Sequence, residues 1–436
     1  DVGTEIKFSN LIEFNKEQCI GCANCVRACP TQAIRIRHSK SFRLVDLCIA
    51  CGECVRVCPA RALTIKPNRT PELRADEFSV AVVSPELYSQ FPGNMPNDVL
   101  IGLRRMGFKY VIDNSDYLEM IQFATDEFIR RARKTAAIPF PVISPFCPVV
   151  ERLIAFRFPT LLDQILPIKR PVHLMEKEVR NHVAQETGIS VDKIVFHHIT
   201  SCQSKVISAR SRKVGADELI QYTWGFNEIY PQLLKHLDQS EESDTSFLSN
   251  SRMLPMPSGR GVMWGLSGGE LTGLRIVATL AVSGISETIA YLEKVEMGAL
   301  RGIEYLELRA CPESCIGGAM VAIDKYMAKS HTHRMVKVFG LGRRLPREKI
   351  LPLYDQGWFF TVSDRKKKLE KFGRQKAPLS IDHLAKIESL KKTLGNKDCG
   401  LCGAPTCHSL AEDIVRGDAQ VRACVLTRLR AREKQR

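Results

Sequence analysis

Sixteen cysteines are the residues of this 436-residue sequence whose number and spacing most directly suggest chemistry. They fall into four sets of four, with none left over. We recognise no basic-then-apolar secretion signal, so we expect a cytoplasmic protein without a disulfide framework. Thiolate ligation of metal is therefore the better interpretation of these cysteines.

The first eight cysteines form an internal repeat, in which the run C-x2-C-x2-C-x3-C-P occurs twice. This run is typical of bacterial two-cluster ferredoxins, where the fourth cysteine of each run ligates the other cluster. A zinc site is the alternative. A zinc ion needs only four thiolates, however, so zinc does not explain why the motif occurs twice. The repeat predicts two 4Fe–4S clusters, one on Cys19, Cys22, Cys25 and Cys58 and the other on Cys48, Cys51, Cys54 and Cys29.

Four further cysteines lie on three loops, each after an apolar run that we predict to be extended: Ile138–Ile143, Lys193–Ile199 and Ile303–Leu308. Open α/β sheets place their sites at the carboxyl ends of strands, and a Gly-Gly pair after the last two cysteines permits close backbone approach. Buried structural cysteines are the alternative. If the strands lie side by side, one 4Fe–4S cube is the simplest use of Cys147, Cys202, Cys311 and Cys315.

The last set has the spacing C-x2-C-x4-C with a distant fourth thiol, and comprises Cys399, Cys402, Cys407 and Cys424. This spacing suits a small helical 4Fe–4S module, with zinc as the alternative. A helix over Ile381–Leu394 precedes it, and a short helix over His408–Arg416 lies inside it, ended by Gly417.

The pattern between the cysteine-rich ends is α/β. Phe78–Val83 and Phe108–Ile112 are predicted strands, Ser115–Arg133 is a predicted helix, and Gly261–Glu270 is a Gly-rich turn that does not fit a nucleotide-binding motif. We therefore expect four segments: a ferredoxin-like α+β domain (1–75), an α/β domain (76–363), a charged linker or solvated helix (364–395) and the C-terminal 4Fe–4S module (396–436).

The amino-acid composition indicates which kinds of binding partner to expect. The net charge of +15 and the pI of about 9.2 favour acidic partners. No nucleic-acid-binding module is recognisable, and the longest apolar run, Leu274–Ile285, is too short to span a bilayer. We expect neither nucleic acid nor a membrane span, and the oligomeric state does not follow from the sequence.

The three central loops resemble the active-site signatures of iron-only (FeFe) hydrogenases, and the order of modules is similar to the sensory branch of that family. The resemblance implies a hydrogenase catalytic domain, or H-domain, in which the four central cysteines hold a cube. It implies that Cys315 bridges to a two-iron subcluster bearing CO, cyanide and an azadithiolate. It also implies that Lys205 contacts one cyanide and that Ser84, Pro85 and Glu86 flank the other.

The sequence departs from the family where protons would move. Phe146 replaces a proton-relaying cysteine, and Phe123 replaces an acid on the preceding helix, with Asp126 one turn later. Phenylalanine cannot carry a proton. Glu86, Glu270 and Glu313 are candidate substitutes, the alternative for each being an exposed loop carboxylate. Other family residues are replaced by Thr200 and Arg309, both in place of methionine, and by Ala319 in place of glycine.

These features lead to three functional hypotheses. The first is a slow hydrogenase that reacts with H2, forms protons and electrons, and passes the electrons through four 4Fe–4S clusters to a ferredoxin or to a regulatory kinase or phosphatase. The second is an electron-transfer subunit without a two-iron site. The third is a catalytic hydrogenase with a rerouted proton path.

Overall fold

The computed structural model describes residues 12–37, 41–44, 47–65, 73–135, 138–210, 220–237, 257–342, 345–361, 364–373 and 379–433. The chain forms two compact units. The first combines Asp1–Lys66 with Lys371–Arg436, and the second is Pro67–Glu370. Among the helices in the described ranges, none is both long enough and apolar enough to cross a membrane.

The N-terminal part of the first unit reproduces the sequence repeat as a structural repeat. Strands β1 (Ile12–Phe14) and β4 (Leu63–Ile65) pair antiparallel, and β2 (Ile34–Arg37) pairs antiparallel with β3 (Ser41–Leu44). Two short helices complete this part, α1 (Asn24–Ala28) and α2 (Glu53–Arg56).

The repeat extends to individual backbone contacts. The amides of Ala33 and Ala62 donate at 3.2 Å to the sulfurs of Cys29 and Cys58, four residues earlier in each case. Cys29 and Cys58, which are equivalent positions of the two halves, therefore accept the same backbone hydrogen bond.

The second unit contains two parallel sheets. One has the strand order β6-β5-β8-β9, and the other has the order β10-β11-β7. The strands are β5 (Phe78–Val83), β6 (Tyr110–Asp113), β7 (Val142–Ile143), β8 (Ile194–Thr200), β9 (Ile220–Gly225), β10 (Thr279–Ser283) and β11 (Tyr305–Arg309).

Helices connect these strands and cover the sheets. They are α3 (Pro96–Arg105), α4 (Ser115–Thr135), α5 (Pro148–Arg157), α6 (Pro171–Thr187), α7 (Gln203–Arg210), α8 (Phe226–Leu237), α9 (Gly259–Met263), α10 (Ile285–Glu296), α11 (Lys325–Phe339), α12 (Arg347–Asp355) and α13 (Asp364–Gly373).

The central strands of the larger sheet are buried on both faces, which explains why their sequences are nearly continuous apolar runs. Val80 and Val82 pack with α6 on one side, while Ala81 and Val83 pack with α3 and α8 on the other. A third apolar cluster, between α4, α12 and β7, contains Phe123.

Several predicted elements agree with the structure, and others begin or end at different residues. Strand β5 and the helix over Ile381–Leu394 have the predicted bounds, and β8 is displaced by one residue. The strand predicted at Phe108–Ile112 begins two residues later, at Tyr110. Within the predicted run Ile138–Ile143, only Val142–Ile143 pairs with another strand. Prolines 139 and 141 explain the latter, because proline offers no amide hydrogen to a sheet.

The condition that the three strands lie side by side is met only in part: β7 and β11 are neighbours, but β8 belongs to the other sheet. Two other expectations were wrong. The Gly-rich segment partly overlaps helix α9 instead of forming only a turn. The charged segment from residue 364 is not simply a solvated face, since Arg365 pairs with buried Glu151 and donates to the Ile168 carbonyl at 3.0 Å. Residues 374–378 of that segment lie outside the described ranges.

The C-terminal part of the first unit has three helices, α14 (Ile381–Leu394), α15 (Cys407–Val415) and α16 (Val425–Glu433). It is joined to the N-terminal part by a buried ion pair between Arg35 Nε and Asp413 Oδ2 at 2.7 Å, with side chains only 8% and 10% exposed. The Ile36 amide also donates to the Gly403 carbonyl at 2.8 Å. A Cβ on Gly403 would stand 1.8 Å from the Ile36 oxygen, so this contact requires glycine.

Candidate metal centre

The structure brings the first eight cysteines together in the two groups that the repeat predicts. The Cys25 thiol interacts electrostatically with Cys19, Cys22 and Cys58, and burial raises its pKa to about 11. These four residues line one cavity. The second group forms around Cys51, a buried thiol whose pKa is raised first by burial and then by the neighbouring Cys29, Cys54 and Cys48.

The three central loops converge although their strands belong to two sheets. Strand β11 pairs with β7, which brings the Cys311–Cys315 loop beside the Cys147 loop. The same Cys311–Cys315 loop contacts the end of β8, since the Met320 amide donates to the Ser201 carbonyl at 3.4 Å and the Ala319 amide donates to Gln203 Oε1 at 3.1 Å.

The glycines after Cys315 make this approach possible. A Cβ on Gly318 would stand 2.3 Å from the Ser201 oxygen, and a Cβ on Gly317 would stand 1.8 Å from the Pro312 oxygen. We expected the Gly-Gly pair to admit a bulky group, whereas the structure uses it to pack one cysteine loop against another. Cys315 thereby comes close enough to Cys202 for their charges to interact, and Cys202 likewise to Cys147.

Cys315 opens onto a cavity that also contains the other residues implied by the resemblance. Lys205, on the first turn of α7, lines this cavity together with Ser84, Pro85 and Glu86 from the segment after β5. Burial raises the pKa of the Cys315 thiol, while the nearby Arg309 and Lys205 charges oppose that rise. Cations beside a buried thiol favour the thiolate, which is the form that binds metal.

The segment after β5 is held by hydrogen bonds to β8. Ser84 Oγ lies 3.3 Å from His198 Nε2, and Ser201 Oγ donates to Glu86 Oε1 at 3.3 Å. Glu86 is 5% exposed and Glu270 is 1% exposed, so the exposed-loop alternative was wrong for both carboxylates. Glu313 is half-buried and pairs with Lys329 at 2.7 Å.

The two phenylalanines that interrupt the family's proton path belong to one apolar cluster. Phe146 packs edge-on against Trp264 with ring centroids 5.4 Å apart, and Phe123 lies under the Arg347 guanidinium. Asp126 accepts a hydrogen bond at 2.8 Å from the Arg275 amide. Apolar side chains therefore occupy both positions at which the resemblance implies a proton carrier.

Sequence reasoning missed a buried polar network beside the cavity. Glu270 accepts from Ser144 Oγ at 2.9 Å, from Arg309 Nη2 at 2.7 Å and from the Tyr305 hydroxyl. Arg170, which we did not single out, also lines the cavity and pairs with Glu151. The charged residues at 307 and 309, inside an otherwise apolar strand, were the one available signal for this network.

The last four cysteines lie together in the C-terminal part of the first unit. Cys402, Cys407 and Cys424 belong to the apolar cluster that joins α14 and α15, and Cys399 is exposed. The Cys407 amide donates to Asp398 Oδ1 at 2.6 Å. A cavity within this unit is lined by both Cys399 and Cys22, so the last cysteine set faces the first.

The donor chemistry fits iron–sulfur cubes. All sixteen cysteines are free thiols. Four thiolates around one zinc ion lie within about 4 Å of one another, because Zn–S bonds are about 2.3 Å long. In the described ranges, no group of three or more Cys, His, Asp or Glu side chains is close enough to hold a single ion. All-thiolate sets of four match the ligands of 4Fe–4S clusters.

Comparisons with known families match three segments of the chain. The family described as "Iron only hydrogenase large subunit, C-terminal domain" matches residues 77–280, a 4Fe–4S dicluster domain matches residues 11–59, and a putative Fe–S cluster family matches residues 394–426. The three matched segments follow the modular order seen in the cysteine pattern.

Individual relatives are distant. The NADP-reducing hydrogenase subunit HndD of Solidesulfovibrio fructosivorans is 24% identical over 196 residues, which are 43% of this chain and 30% of that subunit. The chain thus spans less than a third of the length of this relative.

Solved structures share the fold. A [FeFe]-hydrogenase described in work on oxygen inactivation matches with a TM-score of 0.51 and 16% identity, covering 67% of this chain and 95% of that one. An apo [FeFe]-hydrogenase HydA1 variant from Chlamydomonas reinhardtii matches with a TM-score of 0.50 and 15% identity, over 66% and 91% of the two chains. At this identity the likeness concerns the fold. The chain is therefore similar to iron-only hydrogenases over residues 77–280 and to 4Fe–4S proteins over residues 11–59 and 394–426.

Proposed function

We propose that this protein reacts with H2 at a cluster held by Cys147, Cys202, Cys311 and Cys315. The observation that carries the proposal is the convergence of three cysteine loops on one cavity that Lys205 also lines. A structural role for four buried thiols would not require a lysine beside them. The cavity fits a metal group with anionic ligands, because an ammonium donates strong hydrogen bonds to anions.

Each residue has a distinct part in this proposal. The four cysteines would hold a cube, and Cys315, which alone of them lines the cavity, would link it to a two-iron group. That group, carrying CO, cyanide and an azadithiolate when bound, would supply the chemistry that divides H2 into two protons and two electrons. Lys205 would bind one cyanide, and Ser84, Pro85 and Glu86 would flank the other.

We expect turnover to be slow. A positioned acid–base group typically contributes about 10²–10⁴-fold to a rate. Phe146 and Phe123 can neither accept nor donate a proton, and they pack in an apolar cluster that excludes water. Slow turnover suits a sensor, which needs only enough chemistry to change its own redox state.

Electrons have a route within the first unit. Cys22 of the first repeat cluster lines a common cavity with Cys399 and Cys402 of the C-terminal set. We propose that the cluster on Cys399, Cys402, Cys407 and Cys424 receives electrons from the ferredoxin-like clusters. A regulatory kinase or phosphatase, or a ferredoxin, would then bind the two redox states with different affinity.

Infrared spectroscopy tests the central claim. Protein matured anaerobically with the two-iron precursor should show CO and cyanide stretching bands. Cys315→Ala should lose these bands but keep the two clusters of the N-terminal repeat. Absence of these bands in the unmodified protein would reject the two-iron group. The remaining candidate would be an electron-transfer protein, which the apolar packing of Phe146 against Trp264 favours.

The sensory part has a separate test. Partner affinity is measured with and without H2, in the intact protein and in Cys402→Ala. We expect H2 to change the affinity only when the C-terminal cluster is present. Equal affinity in both conditions would leave a slow hydrogenase, for which the buried Glu270, Ser144 and Tyr305 offer a rerouted proton path.

A further inference from the structure

The cavity beside Cys315 is surrounded by more positive charge than the resemblance implies. Three cations line it, Lys205, Arg170 and Arg309. Among the described residues that form its wall, Glu86 is the one acid. The Nε atom of Arg170 is buried and has no hydrogen-bond partner within the part of the chain that the structure describes. Such a wall is suited to a ligand set with several negative charges.

Arg309 is the most firmly held of these cations. Its side chain is 2% exposed, and its Nη2 donates to Glu270 Oε2 at 2.7 Å. Nη1 lies 3.5 Å from Ser144 Oγ, and Nε lies 3.6 Å from Glu307 Oε1. Contacts with three side chains fix both the position and the plane of the guanidinium, so it does not rotate away when the charge of its surroundings changes.

Within this network of Arg309, Glu270 and Glu307, the positively charged guanidinium is the part that faces the cluster site. Arg309 lines the cavity, whereas its partners Glu270 and Glu307 do not. The Arg309 charge interacts with Cys315 and Cys147. Burial raises the pKa of both partner carboxyls, Glu270 and Glu307. In a site shielded from water, a nearby charge interacts strongly with a cluster because the local dielectric constant is low.

We propose that Arg309 is a positioning residue that raises the reduction potential of the central cluster and, with Arg170 and Lys205, holds the anionic ligands facing the cavity. This inference rests on the proposed function, since it requires the cube on the four central cysteines. Reduction adds one electron to the cube and no proton to Arg309. A fixed positive charge stabilises the more negative, reduced cube, as charge and hydrogen bonds near the sulfurs do in other clusters.

The test compares Arg309→Met with Arg309→Lys in an anaerobic redox titration of protein made without the two-iron precursor. The signal of the central cube is identified as the one that Cys202→Ala removes. For Arg309→Met we expect the ratio of reduced to oxidised cube at a given potential to fall at least about tenfold, which is 59 mV for a one-electron couple. Arg309→Lys should keep the reduction potential of the central cube close to that of the unmodified protein. In matured protein, Arg309→Met should also move the cyanide bands.

Two further variants control the interpretation. Arg180→Met removes another buried arginine, which pairs with Glu176 and does not line the cavity, and it should leave the potential unchanged. Arg309→Met combined with Glu270→Gln and Glu307→Gln removes the arginine together with both of its buried carboxylate partners, and it should show a fall in the same direction if the single variant does not fold. A central cube whose potential is the same in all variants overturns the inference alone. A wild-type protein without that cube overturns both the inference and the proposed function.

Discussion

At the scale of single residues, two phenylalanines distinguish this site from a fast proton-transferring one. Phe146 immediately precedes the first cluster cysteine and contacts Trp264, while Phe123 is buried on α4 in the same apolar cluster. On the proposed proton path the two positions act in series, so restoring one carrier would still leave a gap that protons cannot cross.

We therefore predict that Phe146→Cys alone changes H2 evolution by less than about threefold, while Phe146→Cys with Phe123→Glu raises it by about 10²-fold, the lower end for a positioned acid–base group. H2 evolution from a reduced dye measures both rates. Phe146→Ala with Phe123→Glu is the matched control, because it opens similar space without a thiol. Full activity from Phe146→Cys by itself would contradict the interrupted proton path.

At the scale of elements, Asp113 connects three pieces of the wall behind the site. It ends β6, accepts a hydrogen bond from the Ser115 amide at 2.7 Å where α4 begins, and accepts another from the Tyr88 hydroxyl in the 3-10 segment Pro85–Gln90. Burial raises its pKa to about 6, although these hydrogen bonds oppose the rise.

This pKa predicts a pH dependence of stability with a definite sign. Between pH 4 and 6 the folded protein binds a proton at Asp113 that the unfolded chain has released, so stability falls as pH rises through this range. The fall is at most about 3 kcal/mol, at 1.36 kcal/mol per pKa unit. Asp113→Asn should remove this part of the slope in anaerobic urea unfolding between pH 4 and 6.5. An unchanged slope in the variant would show that Asp113 titrates alike in both states.

Local sequence patterns predicted most of the elements but not how they are arranged. The apolar run Phe78–Val83 and the cysteine repeat are local signals, and both appear in the structure where the sequence places them. The division into two sheets depends on long-range pairing, so the sequence did not reveal that the run before Cys202 lies in a different sheet from the other two. Burial of Glu86, Glu270 and Arg365 also depends on partners far away in sequence, which no pattern at those positions reveals.

At the scale of the whole molecule, the sixteen thiols and their grouping set the metal content. Four cubes and a two-iron group amount to about 18 iron atoms per chain. We expect this value in anaerobically matured protein and about 14 in Cys402→Ala, because loss of one ligand in the C-terminal set releases that cube. Metal analysis with zinc measured in parallel checks both values. About eight iron atoms in the unmodified protein would leave only the ferredoxin-like clusters.

The ion pair between Arg35 and Asp413 also has a consequence for how the protein is made. Its partners are 378 residues apart. At a synthesis rate of 5–20 residues per second, roughly 20–75 s pass between their emergence from the ribosome. During that interval the N-terminal repeat exists without the helices that later cover Arg35. The repeat therefore emerges, and can receive its iron and sulfide, before its permanent neighbour has been translated.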